Sequence, residues 1–300
     1  MMNPIFVLGS TNTDMTIRGE RLPLPGETIS DGSFLMAAGG KGANQAVAVA
    51  RLYPKGRCVF LGKVGDDLFG RETEARLKAE GIEPRLVVDR GQASGTALIL
   101  VDRQGQNCIS VALGANGTFS PQEALPLLQD LSQAAALLLQ LETPMETVLQ
   151  AARAARQAGV PVLLNPAPAR ELPPELYPLL DWITPNEREA QQLTGVPVED
   201  EESAARAAGI LQARGVPHVL ITLGSRGCWC SATGRLHPAR EVKAVDCVAA
   251  GDTFNGAFAV ALAESLSWEE AIAFAQEAAA LSVTRPGAQP SIPRREELSR

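Results

Sequence analysis

The sequence predicts an α/β fold built on a mostly parallel β-sheet with helices on both faces. Short apolar runs alternate along the 300 residues with longer segments whose apolar residues recur at helical spacing. The apolar runs are continuous, which is typical of strands buried on both faces. Because strands and helices alternate in this way, we expect a doubly covered parallel sheet. The length suits one large domain or two smaller ones, and 45% hydrophobic residues can form a sizeable core.

The individual elements follow from these patterns in chain order. Strands are expected over residues 5–8, 58–61, 137–141, 162–164, 182–184 and 219–222. Helices are expected over residues 44–52, 69–80, 145–158, 187–194, 204–214, 252–264 and 268–284. Two segments break the alternation: residues 15–36 are predicted to be extended chain with turns, and residues 94–112 to be a hairpin. They form either a small sheet beside the main one or ordinary edge strands.

Composition argues against several classes of protein. The net charge is −7 and the basic residues are scattered, so nucleic-acid binding is not expected. There is no run of 18 apolar residues, so no membrane span is expected, and the N-terminus does not resemble a signal peptide. Five cysteines and two histidines show no zinc-binding spacing. We therefore expect a cytoplasmic protein with reduced, buried thiols.

Polar residues follow the predicted strands at their carboxyl ends. Asp14 and Glu142 come after the first and third predicted strands, Asn165 and Asn186 follow the next two, and a glycine-containing turn follows residue 222. Open parallel sheets bind ligands at this edge. Together these residues predict an active-site rim.

The stretch Ala249-Ala250-Gly251-Asp252 lies at the start of a predicted helix. A helix start has unpaired N–H groups and a partial positive charge, and small residues allow an anion to approach them. A carboxylate beside such a site is suited to accept a proton, so the stretch indicates phosphoryl transfer to a hydroxyl. The alternative is that Asp252 only caps the helix. Neither a Walker A motif nor a G-x-G-x-x-G after a strand occurs, which counts against a P-loop enzyme and a nicotinamide dehydrogenase.

Two longer motifs carry a family resemblance. They are "GGKGANQAVAVARL" (39–52) and "AVDCVAAGDTFNGAF" (244–258), and they resemble the two signatures of the ribokinase, or PfkB, family of carbohydrate kinases. The resemblance extends over essentially the whole chain through segments such as "NPAPARELP" and "ITPNEREAQQLTG". It implies one three-layer αβα domain over residues 1–300. It also implies a small β-sheet lid, formed by about 15–36 and 94–112, through which two copies form a homodimer.

The same resemblance implies ATP-dependent phosphorylation of the 5-hydroxyl of D-ribose. Asp252 matches the catalytic base, and the backbone N–H groups of Ala249, Ala250 and Gly251 match the anion hole. The positions that match sugar-binding residues are Asn12, Asp14, Gly40, Lys41, Gly42, Asn44 and Glu142, together with Asp252. Glycines here are expected to let the sugar lie against the main chain.

Nucleotide and metal positions are also implied by the resemblance. The ATP-binding positions are Asn186, Thr222, Gly224, Ser225, Gly227, Gly251 and Gln276. Gln276 stands where relatives often have histidine or asparagine, which leaves its adenine contact open. Asn186 and Glu189 match the pair that organises Mg²⁺ and its waters. An activating K⁺ would be held at Asp246, Val248, Ser282, Arg285, Gly287 and Ser291, with Cys247 standing where many relatives have threonine.

Other functions stay open at this stage. Within the family the alternatives are fructokinase, deoxyribokinase and nucleoside kinase; Asp14 and Glu142 favour a small polar sugar over a nucleoside. The sequence does not decide whether ribose or 2-deoxyribose is the preferred substrate. Outside kinase activity, the alternative is a sugar-binding regulator without catalysis.

Overall fold

The structure is a computed structural model that describes residues 2–299. The strands are β1 (Ile5–Leu8), β2 (Asn12–Arg18), β3 (Ser33–Gly39), β4 (Cys58–Gly65), β5 (Glu83–Asp89), β6 (Gly95–Val101), β7 (Asn107–Ala112), β8 (Ala136–Leu139), β9 (Val162–Leu164), β10 (Trp182–Ile183), β11 (His218–Thr222), β12 (Cys228–Cys230) and β13 (Arg235–His237). The helices are α1 (Lys41–Leu52), α2 (Leu68–Ala79), α3 (Pro121–Ala124), α4 (Met145–Ala158), α5 (Glu187–Thr194), α6 (Glu201–Ala213), α7 (Ala250–Ala263) and α8 (Trp268–Ser282).

The main sheet has the order β13-β12-β11-β10-β9-β8-β1-β4-β5. The pairs from β11 to β5 are parallel, and β12 and β13 are antiparallel. Alternate side chains of β1 lie in different cores: Phe6 and Leu8 pack in the core with α4 and α6, whereas Ile5 and Val7 pack in the core with α1, α7 and α8. The predicted three-layer αβα arrangement is therefore confirmed.

A second sheet of four strands, here called the small sheet, has the order β3-β2-β6-β7. β2 pairs antiparallel with β3 and parallel with β6, and β6 forms the predicted hairpin with β7. The segments that break the alternation thus form their own sheet rather than edge strands of the main one. Unlike the main sheet, it exposes large apolar side chains, among them Phe34, Leu98 and Ile109.

Several boundaries differ from the predictions. The strand expected over 137–141 is Ala136–Leu139, and the helix expected from residue 44 begins at Lys41. β5 was not predicted, because Glu83, Pro84 and Arg85 interrupt its apolar pattern at the sheet edge. Buried thiols were wrongly expected at two positions: Cys108, on the edge strand β7, and Cys247, in a loop, are exposed.

No helix within residues 2–299 is long and apolar enough to span a bilayer.

Candidate active site

The first turn of α7 lies at the carboxyl edge of the main sheet. Ala249 precedes the helix in the left-handed region, with φ 59°, a conformation that non-glycine residues rarely adopt. This backbone turn starts the helix without any side-chain cap hydrogen bond. The Ala250 N–H donates to Cys247 O at 3.3 Å, whereas the N–H groups of Ala249 and Gly251 have no hydrogen-bond partner among residues 2–299 and are available to an anion. A Cβ built at Gly251 would meet no atom within 4 Å.

Asp252 is buried, with 5% of its surface exposed. Its Oδ2 accepts a hydrogen bond from Asn44 Nδ2 at 3.0 Å, and its Oδ1 accepts one from Gln45 Nε2 at 3.1 Å. Both donors come from the first turn of α1, which packs against α7. The carboxylate therefore does not cap its own helix by a side-chain bond. It is held by a neighbouring helix.

The charges around Asp252 oppose the effect of its burial. Burial raises the pKa of Asp252, whereas the Lys41 charge and the hydrogen bonds from Asn44 and Gln45 lower it, and Glu142 raises it further. Burial also acts to lower the pKa of Lys41, but the charges of Asp252, Glu142 and Glu189 outweigh it, so the net shift is upward. Lys41 therefore remains a cation and helps to keep its acidic neighbours ionised.

The predicted sugar carboxylates, Asp14 and Glu142, lie near each other, and the charge of Glu142 also acts on Lys41 and Asp252. Glu142 Oε2 accepts hydrogen bonds from Ser10 Oγ at 2.5 Å and from the Lys41 backbone N at 3.0 Å. Burial and then the Glu142 charge raise the pKa of Asp14 to about 6. The two carboxylates are thus close enough to repel each other, and hydroxyl donors between them would relieve that repulsion.

The glycines before α1 are required by protein packing. Gly40 has φ 89°, and a Cβ there would lie 2.6 Å from Thr11 Cα. A Cβ on Gly42 would lie 2.7 Å from Gly9 Cα. Both distances are well inside van der Waals contact, so α1 can approach the end of β1 only with glycine at these positions. The suggestion that these glycines also make room for a sugar stays a prediction.

A cavity of about 200 Å³ opens in front of Asp252. Its lining includes eight predicted site residues, namely Lys41, Asn186, Glu189, Thr222, Ala249, Ala250, Gly251 and Asp252. Five further residues line it: Asn165, Ala167, Thr184, Cys247 and Asn255. The predicted base, the helix start and two further predicted nucleotide positions, Asn186 and Thr222, therefore share one space, whereas Gly224, Ser225 and Gly227 do not line it. Of the predicted sugar positions, only Lys41 and Asp252 line this cavity.

Asn186 and Glu189 form a reciprocal cap at the start of α5. Asn186 Oδ1 accepts from the Glu189 N–H at 2.8 Å, and Glu189 Oε2 accepts from the Asn186 N–H at 2.9 Å. Glu189 is 8% exposed rather than on an open helix surface, and burial is the main cause of its raised pKa. Its Oε1 is not used by the cap and can face a ligand in the cavity. Asn186 also bridges to Thr222 across the sheet.

The turn after β11 carries the remaining predicted nucleotide residues. Gly224 and Ser225 are exposed at the start of a single 3₁₀ turn, where the N–H groups have no partner inside the turn. Gly227 is required, because a Cβ there would lie 2.0 Å from His237 O. Gln276 does not line the cavity: its Nε2 donates to the same His237 O at 2.8 Å. Gln276 therefore contacts the backbone against which the turn packs.

The predicted monovalent-cation positions belong to two adjoining segments. Asp246 Oδ1 accepts from the Val248 N–H at 3.0 Å, and Oδ2 accepts from the Gly287 N–H at 2.9 Å. The Val245 and Asp246 N–H groups both donate to Val283 O. These bonds bring the loop before α7 and the chain after α8 together, including buried Ser282 and Ser291. Among residues 2–299, no three His, Cys, Asp or Glu side chains form a metal-binding group.

Asn12 and several residues that sequence reasoning missed form a polar layer behind the site. Asn116 Nδ2 donates to Asn12 Oδ1 at 2.9 Å and to Thr11 O at 3.0 Å, which fixes the start of β2. Asn255 Nδ2 donates to Gly251 O at 2.8 Å and accepts from Thr184. Asn165 was expected at the active-site rim because it follows a predicted strand, and it lines the cavity. Asn116 gave no signal, because nothing in the sequence links it to Asn12.

Comparison with known proteins gives a consistent result. Residues 2–295 match the model for "pfkB family carbohydrate kinase". The chain is 45% identical over 300 residues to a ribokinase of Haemophilus influenzae, with 99% of this chain and 97% of that protein covered. It is 38% identical to a deoxyribokinase of Salmonella typhi, with 98% and 97% covered. The structure of an Arabidopsis thaliana ribokinase complexed with ribose and ATP superimposes with a TM-score of 0.91 at 37% identity, covering 99% and 97% of the two chains.

Proposed function

The chain belongs to the pfkB family of carbohydrate kinases, and from this premise we propose that it transfers the γ-phosphoryl group of ATP to the 5-hydroxyl of D-ribose. The observation that carries the proposal is Asp252, a buried carboxylate in the first turn of α7. It shares a cavity with Lys41 and the helix start, and it accepts a hydrogen bond from Asn44, which matches one of the family's sugar-binding positions. Similarity to ribokinases over nearly the full length supports ribose as the acceptor.

In the proposed reaction, Asp252 accepts the hydroxyl proton. The hydroxyl oxygen forms a bond to the γ-phosphorus while the bond to the β–γ bridging oxygen breaks, leaving ADP. Because the transition state of phosphoryl transfer is loose, positioning and charge stabilisation contribute more than base strength. Asn44 and Gln45 orient the carboxylate, and Lys41 favours its ionised form.

Charge that develops on the transferred group would be stabilised by the backbone of Ala249, Ala250 and Gly251. Their N–H groups stand at the positive end of α7, and of the three only that of Ala250 already has a partner, Cys247 O at 3.3 Å. Asn255 fixes this turn through Gly251 O. Thr222, Gly224, Ser225 and Gly227 would bind the remaining phosphates and the nucleoside from the far side of the cavity.

A divalent metal ion accompanies ATP in kinases of this family, and the residues present suit Mg²⁺. Glu189 offers one carboxylate oxygen that the cap leaves free, and Mg²⁺ commonly retains several waters. Glu189 and Asn186 would hold the hydrated ion, which would neutralise part of the negative charge of the phosphates.

The K⁺ proposal rests on the oxygen-rich junction beside α7. A carboxylate at Asp246 and main-chain oxygens at Val248, Ser282, Arg285, Gly287 and Ser291 are the hard donors that a potassium ion prefers. An ion there would order the loop that precedes Ala249. Turnover in potassium should exceed turnover in a large organic cation, and equal rates would remove this part of the proposal.

The small sheet is proposed to act as a lid over the sugar and as the interface of a homodimer. In its register, Asp14 shares one face with Ala37 and Ala97, whereas Ile17, Phe34, Met36 and Leu98 share the opposite face. Those four apolar side chains are 39–63% exposed, and a second copy would cover them. We also propose a cytoplasmic location, where reduced thiols such as Cys108 and Cys247 persist.

The deciding experiment compares kcat/KM for ribose, 2-deoxyribose, fructose and adenosine with ATP and Mg²⁺. The proposal requires ribose to be the best substrate. A preference for deoxyribose would align the chain with its deoxyribokinase relative. ATP and sugar binding without any phosphoryl transfer would favour a sugar-binding regulator.

A further inference from the structure

A buried chain of amide side chains holds the far side of Asp252. Gln45 lies in the first turn of α1 and is completely buried. Its Nε2 donates to Asp252 Oδ1 at 3.1 Å and to Asn165 Oδ1 at 3.2 Å. Its Oε1 accepts from Gln140 Nε2 at 2.6 Å. The chain thus links Asp252 to the ends of β8 and β9, where Gln140 and Asn165 lie.

The chemistry of these groups allows only one orientation of the Gln45 side-chain amide. An ionised carboxylate has no hydrogens to donate, so Gln45 must turn its NH₂ group toward Asp252. Its carbonyl oxygen then faces Gln140, which must donate. Gln140 Oε1 has no hydrogen-bond partner among residues 2–299, and a Cβ on Gly9 would lie 2.0 Å from it. The fold therefore reserves space for this amide although one buried acceptor is left unpaired, which is energetically unfavourable.

Asn44 and Gln45 play different parts, although both donate to Asp252. Asn44 matches a sugar-binding position, so its amide is shared with the substrate. Gln45 is completely buried and cannot reach a ligand in the cavity. We expect its bond to Oδ1 to persist when sugar binds, which leaves Oδ2 and the remaining lone pairs of the carboxylate for the hydroxyl.

We propose that Gln45 is a positioning residue for the base, and that Gln140 fixes the amide orientation that lets Gln45 donate to Asp252. The inference rests on the proposed role of Asp252 as the proton acceptor. The hydrogen bond from Gln45 aims the carboxylate and stabilises its charged form, in which it accepts a proton. The ionisable groups that also face Asp252 are Lys41, Glu142 and Glu189.

The test replaces Gln45 by methionine, which keeps the length of the side chain and removes the donor. We expect kcat to fall about 10- to 100-fold, as for loss of a hydrogen bond to a charged group, with KM values for sugar and ATP changed less than about threefold. The acid limb of the kcat–pH profile should move to higher pH. Gln140→Met should produce the same shift with a smaller loss, because Gln45 keeps its place but loses its fixed orientation.

Val49→Ala is the matched control, since Val49 lies one turn further along α1, is buried and makes no polar contact with Asp252. It should lower Tm while leaving the acid limb in place. If Gln45→Met does not fold, Gln140→Met decides the question by the same two readouts. Near-normal kcat with an unmoved acid limb in the folded variant would overturn the proposal.

A second readout needs no turnover. The pKa of the Asp252 carboxyl, followed by ¹³C NMR in ligand-free protein, should be higher in Gln45→Met than in the wild type. An equal pKa would refute the role of Gln45. If Asp252→Asn loses activity but Gln45→Met has normal kinetics, the proposed function is supported and the positioning role of Gln45 is refuted.

Discussion

The main sheet and the small sheet of this protein differ in how much of their strands is buried. Every residue of β1 and β8 is buried between two helical layers. In the small sheet, every residue of β7 is exposed and β3 exposes four consecutive residues. The base and its amide network depend on the first region, whereas Asp14 is carried by the second.

We infer from this difference that the two sheets contribute different kinds of residue to the candidate site. Groups that must be aimed accurately, such as Asp252, are anchored by buried helices and strand ends. Asp14, which is proposed to bind the sugar, lies on the small sheet, whose exposed strands would move at a smaller energetic cost than the buried strands of the main sheet. We expect changes in the main sheet to affect catalysis and folding, and changes in the small sheet to affect assembly and sugar binding.

The largest expected effect comes from Asp252→Asn. The amide keeps the shape of the carboxylate but cannot accept the proton, so kcat should fall by about 10³-fold or more, while ribose and ATP still bind. Rapid-quench kinetics and calorimetric titration measure the two quantities separately. Near-normal kcat would show that the proton leaves by another route.

The second largest effect is expected for a glycine-to-alanine substitution, which we compare at one position beside the main sheet and one in the small sheet. Gly42→Ala places a Cβ 2.7 Å from the Gly9 backbone, so α1 must shift, and we expect a loss of about 2–4 kcal/mol in unfolding free energy. Gly105→Ala, in the β6–β7 turn with φ 80° and no neighbour within 4 Å, should lose only about 1 kcal/mol. Urea denaturation tests both variants. Equal losses would contradict the contrast between the regions.

Substituting an exposed apolar residue of the small sheet should act on assembly. Phe34→Glu puts a charge on the face proposed to contact a second copy, and the dimer dissociation constant should rise by about 100-fold or more. Leu68→Glu, at a similarly exposed apolar position on α2, is the control and should leave assembly unchanged. Sedimentation velocity gives the result, and a monomeric wild type would remove the dimer proposal.

The smallest effect concerns the pH dependence of stability. The pKa of Asp14 is raised from 3.8 to about 6, so the folded protein binds this proton more tightly than the unfolded chain does. Its stabilising contribution is present below about pH 4 and is lost as pH rises through 6. Asp14→Asn should therefore raise Tm by about 2–5 °C at pH 8 but not at pH 4, while weakening ribose binding. A Tm unchanged at pH 8 would contradict this reading of Asp14.

Local patterns in the sequence were sufficient for the elements of the main sheet. The apolar run at 5–8 and the helical spacing at 145–158 and 187–194 gave boundaries that agree with the structure. The start of α1 was missed, because Gly40 and Gly42 have low helix propensity, and the close approach to Gly9 sets that boundary.

The site was predictable only where a residue follows a strand or belongs to a motif. Asp252 and Glu142 met that condition. Gln45 lies inside the motif, yet its role depends on Gln140 and Asn165, which are 95 and 120 positions away. Periodicity describes neighbours along one helix, so a network that joins one helix to two strand ends leaves no local trace.

The most direct test of this account is a crystal structure of the protein with ribose and a non-hydrolysable ATP analogue. We predict that the 5-hydroxyl lies about 2.6–3.2 Å from the Asp252 carboxylate and in line with the γ-phosphorus. The bond from Gln45 to Asp252 should persist, and the small sheet should move toward the sugar. A complex with every sugar hydroxyl beyond hydrogen-bonding distance of Asp252 would contradict the central claim.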